Sequence, residues 1–420
     1  MKRTVWFLTM VFASIVGWAQ KTVVSGTVVD ATTNVPVAGA SVTMEGLSVV
    51  TNDDGFFTLK SDATAPSGKA EATVAKEMTV SHVGYKSRRV KVGGSEESLK
   101  IRLTPATIQL QEVLVMADNP RELVMAAISK IPENYSRSPE LYNCFYREKA
   151  MKRQHYISVA EGVIDMYKTD YRRSTGRDRV AIRKGRRLLS AKQGDTLGVK
   201  VLGGPVAPIA LDIVKNTGVL LNAEELDCYD LQMETPTVIA DRRQYVVSIR
   251  PRRVLSYALY NGRLYIDQET LAFTRAELSL DMSSREKATQ VMLVRKPLGV
   301  RFRPKELSLV VDYRQGEDGV TRMSYIRTTF RFNCDWKRRL LATSFAAFCE
   351  MAVTSTTARD VQPIRGRESF DQRDAFFDKV DYFRDPTFWQ DFNIIEPTES
   401  LDKAVDRLLK KYPQSKQSKQ

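Results

Sequence analysis

The densest group of chemically capable side chains is a cationic run between residues 172 and 187. Eight basic residues occupy these 16 positions, and Asp178 is the one acidic residue among them. An arginine guanidinium presents a planar fork of N–H donors that binds carboxylate or phosphate oxygens in pairs. The run therefore predicts an anion-binding site, for which we name Arg172, Arg173, Arg183, Lys184, Arg186 and Arg187. The competing interpretation is a solvated strand–loop–strand whose arginines meet acidic residues of neighbouring strands.

A second arginine group lies further along the chain. It comprises Arg242, Arg243, Arg250, Arg252 and Arg253. These side chains strengthen an anion site only if folding brings them alongside the first group. Sequence spacing alone leaves both arrangements open.

Catalytic constellations are hard to assemble from the remaining residues. Glu161 and Asp165 suggest a glycosidase pair, but four strand residues at about 3.3 Å each separate them by roughly 13 Å, beyond the ~5–9.5 Å that hydrolysis requires. His82 and His155 have no neighbouring triad pattern, so we expect structural or exposed roles for both. The sequence predicts no catalytic residue, no cofactor, no metal ligand and no enzyme activity.

The four cysteines lack any Cys-x-x-Cys spacing, which argues against a zinc site and against a redox motif. They are Cys144, Cys228, Cys334 and Cys349. Three complete disulfide pairings are open to four cysteines, and Cys334 with Cys349 is the pair closest in sequence. Four buried reduced thiols are the alternative.

The first nineteen residues have the layout of a secretory signal peptide. Lys2 and Arg3 precede an uncharged, mostly apolar run over 4–16, and Gly17-Trp18-Ala19 supplies the small residues that a signal peptidase reads. Thirteen helical residues reach only about 20 Å of a hydrocarbon core roughly 30 Å thick. We predict that residues 1–19 are cleaved, leaving no transmembrane helix, and that the protein is exported to the periplasm or outer membrane, or secreted.

The net charge of +14 lies almost entirely in the C-terminal part of the chain. Residues 20–118 carry 10 basic and 11 acidic side chains, so the excess lies beyond them. Export removes intracellular nucleic acid from the partners, and a basic envelope protein meets lipid phosphates and acidic glycans. We expect envelope proteins or these anionic components as partners. Plain solubility is the alternative explanation of the charge.

Short strand signals separated by turns fill residues 21–103, at the spacing typical of a β-sandwich. Gly39 and Gly55 suit backbone positions with positive φ, and residues 52–55 predict a tight turn before Phe56. The predicted strands are Thr22–Val29, Ala40–Met44, Phe56–Leu59, Ala72–Val80, Ser87–Val92 and Leu99–Leu103.

Four segments of this region resemble, in order, the carboxypeptidase-like regulatory domains. They are Val24–Asp30, Pro36–Val42, Thr51–Leu59 and Val80–Tyr85, which ends in Val-Gly-Tyr. The resemblance implies a prealbumin-like Greek-key sandwich, here over residues 20–104. It implies no peptidase activity, because the family name refers to a module appended to some metallocarboxypeptidases and the chain has no His-x-x-Glu motif.

Beyond the sandwich, residues 105–135 predict a linker that contains an extended segment at 109–115 and a helix over 120–131. Asn119 can cap that helix with Pro120 in its first turn. A β-rich domain is predicted over 136–397, with hairpins at Asn261-Gly262 and at 316–319. Its predicted strands are Tyr156–Tyr167, Gln244–Arg250, Ser256–Asp267, Ala272–Asp281, Gln290–Lys296, Glu306–Tyr313 and Met323–Asn333.

A few helices complete the predicted architecture. Short helices are expected over 206–214 and 220–226, and Thr398 is expected to cap a helix over 399–411 within a final segment, 398–420, that ends in a polar tail. The fold class is mainly β: an N-terminal Greek-key sandwich followed by a larger, curved antiparallel sheet.

Three functional hypotheses follow from these patterns. The leading one is an exported, non-enzymatic envelope protein in which the sandwich serves as an interaction module for the larger β-rich domain. The alternative is a half-barrel carrier or sensor of an acyl-bearing anionic ligand, because the arginine cluster lies beside a possible half-barrel; Leu264–Leu271 resembles a hairpin of periplasmic lipoprotein carriers. An envelope hydrolase is the third.

Overall fold

The computed structural model describes residues 22–61, 76–93, 96–106, 119–172, 178–189, 203–293, 299–336, 342–382 and 387–411. The predicted signal peptide and the extended segment at 109–115 lie outside these ranges. Within them, no helix combines the length and the apolar character needed to cross a membrane.

The N-terminal region is a two-sheet sandwich, as predicted. One sheet has the order β4-β1-β7 and the other β3-β2-β5-β6. Alternate apolar side chains of both sheets, such as Val24, Val42, Phe57 and Val80, form a closed core. The prediction missed β3. The strands are β1 Thr22–Asp30, β2 Ser41–Met44, β3 Leu47–Val50, β4 Phe56–Ser61, β5 Lys76–Ser81, β6 Arg88–Val92 and β7 Glu96–Leu103.

The recognisable motifs of the sandwich are joined by hydrogen bonds. Asp30 accepts from the backbone N–H groups of Thr32 and Thr33, both at 2.7 Å, and from the hydroxyl of Tyr85 at 2.8 Å. The first and last motifs are therefore linked through one carboxylate. Gly55 has a φ of 73°, and a Cβ there would lie 2.5 Å from the Val28 carbonyl oxygen, so only glycine fits this turn.

The C-terminal region is one large curved sheet, which agrees with the predicted class. In the described residues its strand order is β11-β12-β13-β14-β15-β16-β17-β8-β9-β10-β18, antiparallel except for β10 with β18. Its strands are β8 Glu140–Lys152, β9 His155–Lys168, β10 Arg179–Leu189, β11 Tyr229–Ile239, β12 Arg242–Pro251, β13 Tyr260–Asp267, β14 Phe273–Leu280, β15 Val300–Gln315, β16 Thr321–Trp336, β17 Thr343–Thr357 and β18 Asp381–Tyr382.

Helices and turns cover one face of this sheet, which we call the inner face and define by Ile164, Val247, Leu264 and Val311. Between β10 and β11, which begins at the far edge of the sheet, residues 203–226 lie on this face, and we call them the crossing segment. Apolar side chains of the crossing segment and of the helices pack on the inner face as one core. These helices are α1 Pro120–Ser129, α2 Ile131–Asn134, α3 Ala207–Ala210 and α4 Ala223–Leu226.

Two sequence predictions in this region are wrong. Asn261-Gly262 lies inside β13 rather than in a hairpin: Gly262 faces Ile249 on one side and Leu278 on the other. A Cβ on Gly262 would lie 2.0 Å from the Glu277 carbonyl oxygen, so the glycine permits close strand approach and not a turn. The first residues of the strand predicted at Gln290–Lys296 belong instead to a helix, α5 Arg285–Met292, and residues 294–296 lie outside the described ranges. Its opening Arg-Glu-Lys run has high helix propensity.

The sandwich packs against the opposite face of the large sheet, which we call the outer face and define by Phe145, Val163, Tyr325 and Ala352. Val50 of the sandwich joins these residues in one apolar cluster. The cluster is closed by Trp389, Ile394 and Ile395 from residues 387–398, which we call the strap. A final helix, α6 Glu399–Lys411, follows the strap. The Thr398 hydroxyl accepts a hydrogen bond from the Leu401 N–H at 3.2 Å, which confirms the predicted helix cap.

Candidate binding site

A cavity of about 220 Å³ lies between the four-stranded sheet of the sandwich and the outer face of the large sheet. Strand alternation builds the sandwich wall, because Val42 and Val49 enter the core while their neighbours face outward. Ser41, Ser48 and His82 line the cavity from the sandwich, and Arg242, Arg275 and Arg314 line it from the large sheet. The cavity is therefore formed jointly by the two regions.

Two of the three arginines are neutralised by carboxylates. The Arg242 guanidinium binds Asp267 through two contacts, Nε to Oδ2 at 2.5 Å and a terminal nitrogen to Oδ1 at 2.7 Å. Arg275 binds Asp312 and Glu277, each at 2.7 Å. Burial opposes the charge on Arg275, and the two carboxylates more than offset it, so its pKa is raised. These groups leave no unpaired cation on Arg242 or Arg275, and Glu277 adds a second negative charge beside Arg275.

Arg314 is different because it binds hydroxyls instead of carboxylates. One terminal nitrogen donates to Ser48 Oγ at 2.8 Å and to Ser41 Oγ at 3.1 Å. Within the described ranges, no carboxylate lies within salt-bridge distance of its guanidinium. Burial without a nearby negative charge lowers the pKa of Arg314 to about 10. The side chain stays charged at neutral pH and contributes an unbalanced positive charge.

His82 adds a neutral polar group to the cavity wall. Burial, followed by the positive charge of Arg275, lowers its pKa to about 4. Its Nδ1 lies 3.0 Å from the Val83 carbonyl oxygen. The imidazole is therefore uncharged at neutral pH, and Arg314 keeps the only unbalanced charge among the described lining residues.

The six residues predicted to bind an anion do not form one surface. Arg173 lies outside the described residues, and Arg172 is exposed with its Nε 3.5 Å from Asp170. The other four lie on β10, a strand that the prediction left unassigned. Arg183 binds Asp165 at 2.8 Å. This ion pair agrees with the competing interpretation, in which the arginines pair with acidic residues of neighbouring strands.

Neighbouring positions on β10 send the remaining cations to opposite faces. Lys184 donates to the Phe388 carbonyl at 2.8 Å, and the Arg186 guanidinium lies 5.1 Å from the Trp389 ring centroid, both on the outer face beneath the strap. Arg187 lies 4.8 Å from the Phe377 ring, which packs on the inner face. The structure thus brings Lys184 and Arg186 together and separates Arg187 from them.

The second arginine group does not join the first. Arg242 lies on β12, and β10 lies eight strands away in the order of the described sheet. At about 4.8 Å per strand this spacing is roughly 38 Å along the sheet. Arg242 lines the interdomain cavity, and Arg250 lines a shallow groove elsewhere on the outer face.

Glu161 and Asp165, the carboxylates considered for hydrolysis, are each occupied by arginines. Glu161 accepts from Arg147 at 2.7 Å, from Arg186 at 3.0 Å and from the Trp389 indole at 3.2 Å. Burial raises the pKa of Glu161, and the two arginines more than offset this, so the net pKa is lowered. Arg147 also donates to the Ile395 carbonyl at 2.6 Å. The network fixes the strap to the outer face.

Two further buried ion pairs lie on the inner face. Lys168 binds Asp212 at 2.6 Å and Lys215 binds Asp178 at 2.7 Å, with all four side chains almost fully buried. Burial, followed by the charge of Lys168, lowers the pKa of Lys215 to about 8. The two pairs tie the crossing segment after β10 to the sheet. Neither the interdomain cavity nor the groove at Arg250 reaches them.

The cysteines and His155 take structural or exposed positions. All four cysteines are buried reduced thiols, so the Cys334–Cys349 disulfide does not form. Burial raises the pKa of Cys349 to about 12 and that of Cys334 to about 11, which suppresses thiolate chemistry. His155 is exposed at the start of β9.

Sequence reasoning missed Arg314, the residue that distinguishes the cavity. The strand prediction over 306–313 stopped one residue short of it. Alternation of Asp312 and Arg314 with buried Val311 and Tyr313 was the available signal for a polar outer face. No sequence pattern predicted that the sandwich covers this face.

Known proteins resemble different parts of the chain. Residues 24–115 match the model of the CarboxypepD_reg-like domain. Among solved structures, a DUF1329 family protein from Desulfovibrio piger covers 58% of this chain and 95% of its own, at 8% identity and a TM-score of 0.26. A putative outer membrane lipoprotein-sorting protein domain from Vibrio parahaemolyticus covers 59% and 96%, at 9% identity and a TM-score of 0.28.

A LolA superfamily protein from Nitrosomonas europaea covers 57% of this chain and 94% of its own, at 12% identity and a TM-score of 0.20. No curated protein matches the chain. Similarities of this size among the structures assign no function to the β-rich region. The sequence motifs, the two-sheet sandwich and the matched model agree with one another: the chain carries a CarboxypepD_reg-like domain over residues 24–115, followed by a large β-rich region.

Proposed function

We propose that this protein is an exported, non-enzymatic binding protein of the cell envelope, in which the sandwich acts as an interaction module for the large β-rich domain. The proposal divides the chain into five units: the predicted signal peptide over 1–19, the sandwich over 20–104, the linker over 105–135, the β-rich domain over 136–397 and the C-terminal segment over 398–420. The sandwich covers the outer face of the sheet, so its first partner is the same chain.

The observation that carries this proposal is the contact between the strap and the edge of the sandwich. Asn393 pairs with both main-chain polar groups of Lys60: its Oδ1 accepts from the Lys60 N–H at 2.8 Å, and its Nδ2 donates to the Lys60 carbonyl at 2.9 Å. Lys60 lies on β4, an edge strand. The amide thus satisfies an edge that would otherwise offer unpaired groups to another chain.

Further contacts surround this anchor and fix the relative position of the two regions. The Asp53 carboxylate binds Arg327 at 2.9 Å, and Asp54 accepts from the Glu399 N–H at 2.8 Å. At the other end, the Gly84 N–H donates to the Val238 carbonyl at 2.8 Å. Because the contacts involve main chain, ion pairs and apolar packing, they support a defined interface over loose tethering.

Calorimetric unfolding of the mature protein tests the docked arrangement. We expect a single transition for the wild type. Asn393→Ala combined with Arg327→Ala removes contacts on both sides of the interface and should separate the unfolding of the sandwich from that of the large domain. Gln390→Ala, at an exposed strap position, is the control and should keep one transition. Two transitions already in the wild type, unaffected by the variants, would refute the proposal.

The non-enzymatic part of the proposal has its own test. The purified mature protein should not hydrolyse peptide or glycan substrates. Hydrolysis that disappears in Glu161→Gln would establish the hydrolase hypothesis instead. The buried arginine partners of Glu161 support the non-enzymatic interpretation, because they hold this carboxylate in an ion network.

The carrier hypothesis concerns the inner face. A bound acyl chain there would have to displace α1, α2 or the crossing segment, whose apolar side chains fill that face in the described residues. Native mass spectrometry of the protein purified from membranes distinguishes the two cases. A co-purified lipid would favour the carrier, and envelope proteins or anionic glycans would fit the binding protein proposed here.

A further inference from the structure

The interdomain cavity has a charge that its own walls leave unbalanced. Three arginines and two aspartates line it: Arg242, Arg275 and Arg314 against Asp267 and Asp312. The aspartates are taken by the first two arginines. Arg314 is therefore the lining arginine without a carboxylate partner in the described residues, and two serine hydroxyls of the sandwich hold it in place.

The hydrogen-bonding capacity of Arg314 is also only partly used. One terminal nitrogen serves both serines, and the remaining guanidinium N–H groups have no acceptor among the described residues. A guanidinium fork donates two parallel hydrogen bonds to the two oxygens of one carboxylate. A bound carboxylate would supply both the acceptors and the negative charge that the side chain lacks.

The size and the remaining walls restrict the ligand. A volume of about 220 Å³ falls below the ~300–1,000 Å³ of pockets for drug-sized molecules. Val50, Val83 and Ala272 give the cavity an apolar part. A short apolar body with one anionic group fits these walls, and a long acyl chain does not.

We propose that this cavity binds a small organic monocarboxylate, whose carboxylate pairs with Arg314 and whose short apolar body lies between the sandwich and the large sheet. The inference rests on the proposed docking of the sandwich, which supplies one wall. A doubly charged phosphate suits the site less well, since Asp267 and Asp312 lie in the same walls and only one cationic charge is unbalanced.

Isothermal titration calorimetry on the full mature protein tests this site. The probes are benzoate and butyrate, with benzamide as the uncharged analogue and inorganic phosphate as the competing anion class. We expect saturable binding of at least one carboxylate and weaker binding of benzamide and phosphate. Arg314→Gln should weaken carboxylate binding by about tenfold or more, because a charge-assisted bidentate contact is lost.

Arg301→Gln is the matched control, since Arg301 is an exposed arginine on the same strand, and it should leave binding unchanged. Gln315→Glu provides a second variant at an exposed lining residue, where a new negative charge should weaken binding several-fold, and its structural cost is limited to the exposed hydrogen bond from Gln315 Nε2 to the Gly319 carbonyl. If Arg314→Gln does not fold, Gln315→Glu decides. The proposal is overturned if neither carboxylate binds, if benzamide or phosphate binds as tightly, or if the two lining variants bind like the wild type.

Hydrogen exchange on the same samples separates this inference from the docking proposal. A protected Gly84 amide together with no carboxylate binding overturns the cavity assignment and leaves the docked sandwich intact. A rapidly exchanging Gly84 amide overturns the docking itself.

Discussion

At the residue scale, the cationic run that dominates the sequence is used for internal pairing as far as the structure describes it. Arg186 and Arg147 hold Glu161 from two sides, and Trp389 closes the third side. Breaking a buried ion pair from one side leaves an uncompensated charge, which costs more than the pair contributes when intact. The network is therefore a sensitive point for stability.

Glu161→Gln should destabilise the protein by about 3–5 kcal/mol, because Arg147 and Arg186 lose their buried counter-charge. Asp165→Asn is the control on the same strand: its partner Arg183 is half exposed, and such pairs contribute about 0–1 kcal/mol. Urea unfolding of the two variants measures both values. Equal, small losses would show that the strap is not held by this network.

Glu148 gives the protein a specific dependence on pH. Burial raises its pKa to about 7, against an ordinary value of 4.5, while the Tyr146 hydroxyl bonds it at 3.1 Å. A raised carboxyl pKa means that the folded state binds the proton more tightly. Its contribution is complete below about pH 4.5 and is lost as the pH rises through 7.

The variant Glu148→Gln should remove this part of the pH profile, which corresponds to about 3 kcal/mol between pH 4.5 and pH 8. Unfolding free energies measured across that range give the comparison. A wild-type slope that persists unchanged in the variant would assign the pH dependence to other groups.

Individual residues show which features of a binding site can be predicted from the sequence. The density of arginines predicted anion binding, but pairing partners depend on strand register, which brings Arg183 opposite Asp165 only in the folded sheet. Arg314 stood in no dense cluster, and its distinction is the absence of a carboxylate partner within the described residues. Such a feature exists only in three dimensions.

At the element scale, sequence patterns gave correct predictions where a single local interaction determines the structure. The turn at residues 316–319 and the Thr398 cap were predicted correctly, because turn geometry and capping are local. Asn261-Gly262 failed because a glycine serves equally well for a turn and for close strand contact. The neighbouring strands determine which of these two roles the glycine has, and their positions cannot be read from the sequence.

Gly262→Ala should therefore destabilise the sheet, by about 1–3 kcal/mol, since a Cβ would lie 2.0 Å from the Glu277 carbonyl oxygen and the strands must shift. Gly93→Ala is the control, because nothing lies within 4 Å of its added Cβ and its φ is not positive. Thermal unfolding compares the two. Comparable midpoints would mean that β13 and β14 separate easily at this point.

At the scale of the whole molecule, the sandwich turns the outer face of the sheet from an exposed surface into an interface. Strand alternation places Arg327 on the outer face, and a polar sheet face of this kind ordinarily meets solvent. Instead, Asp53 of the sandwich meets Arg327, and the strap crosses the edge of the sandwich. Contacts between residues hundreds of positions apart leave no periodic signal in the chain.

The most direct measurement of the docked arrangement is residue-resolved hydrogen exchange on the full mature protein. The amides of Lys60, Gly84 and Ser87 donate across the interface, to Asn393, Val238 and Asp241. The amide of Val28, which donates to Gly55 inside the sandwich, is the internal reference. The docked arrangement predicts that all three interface amides are protected together with Val28. Rapid exchange of the three while Val28 stays protected would show a folded sandwich that is not docked, and would contradict the account.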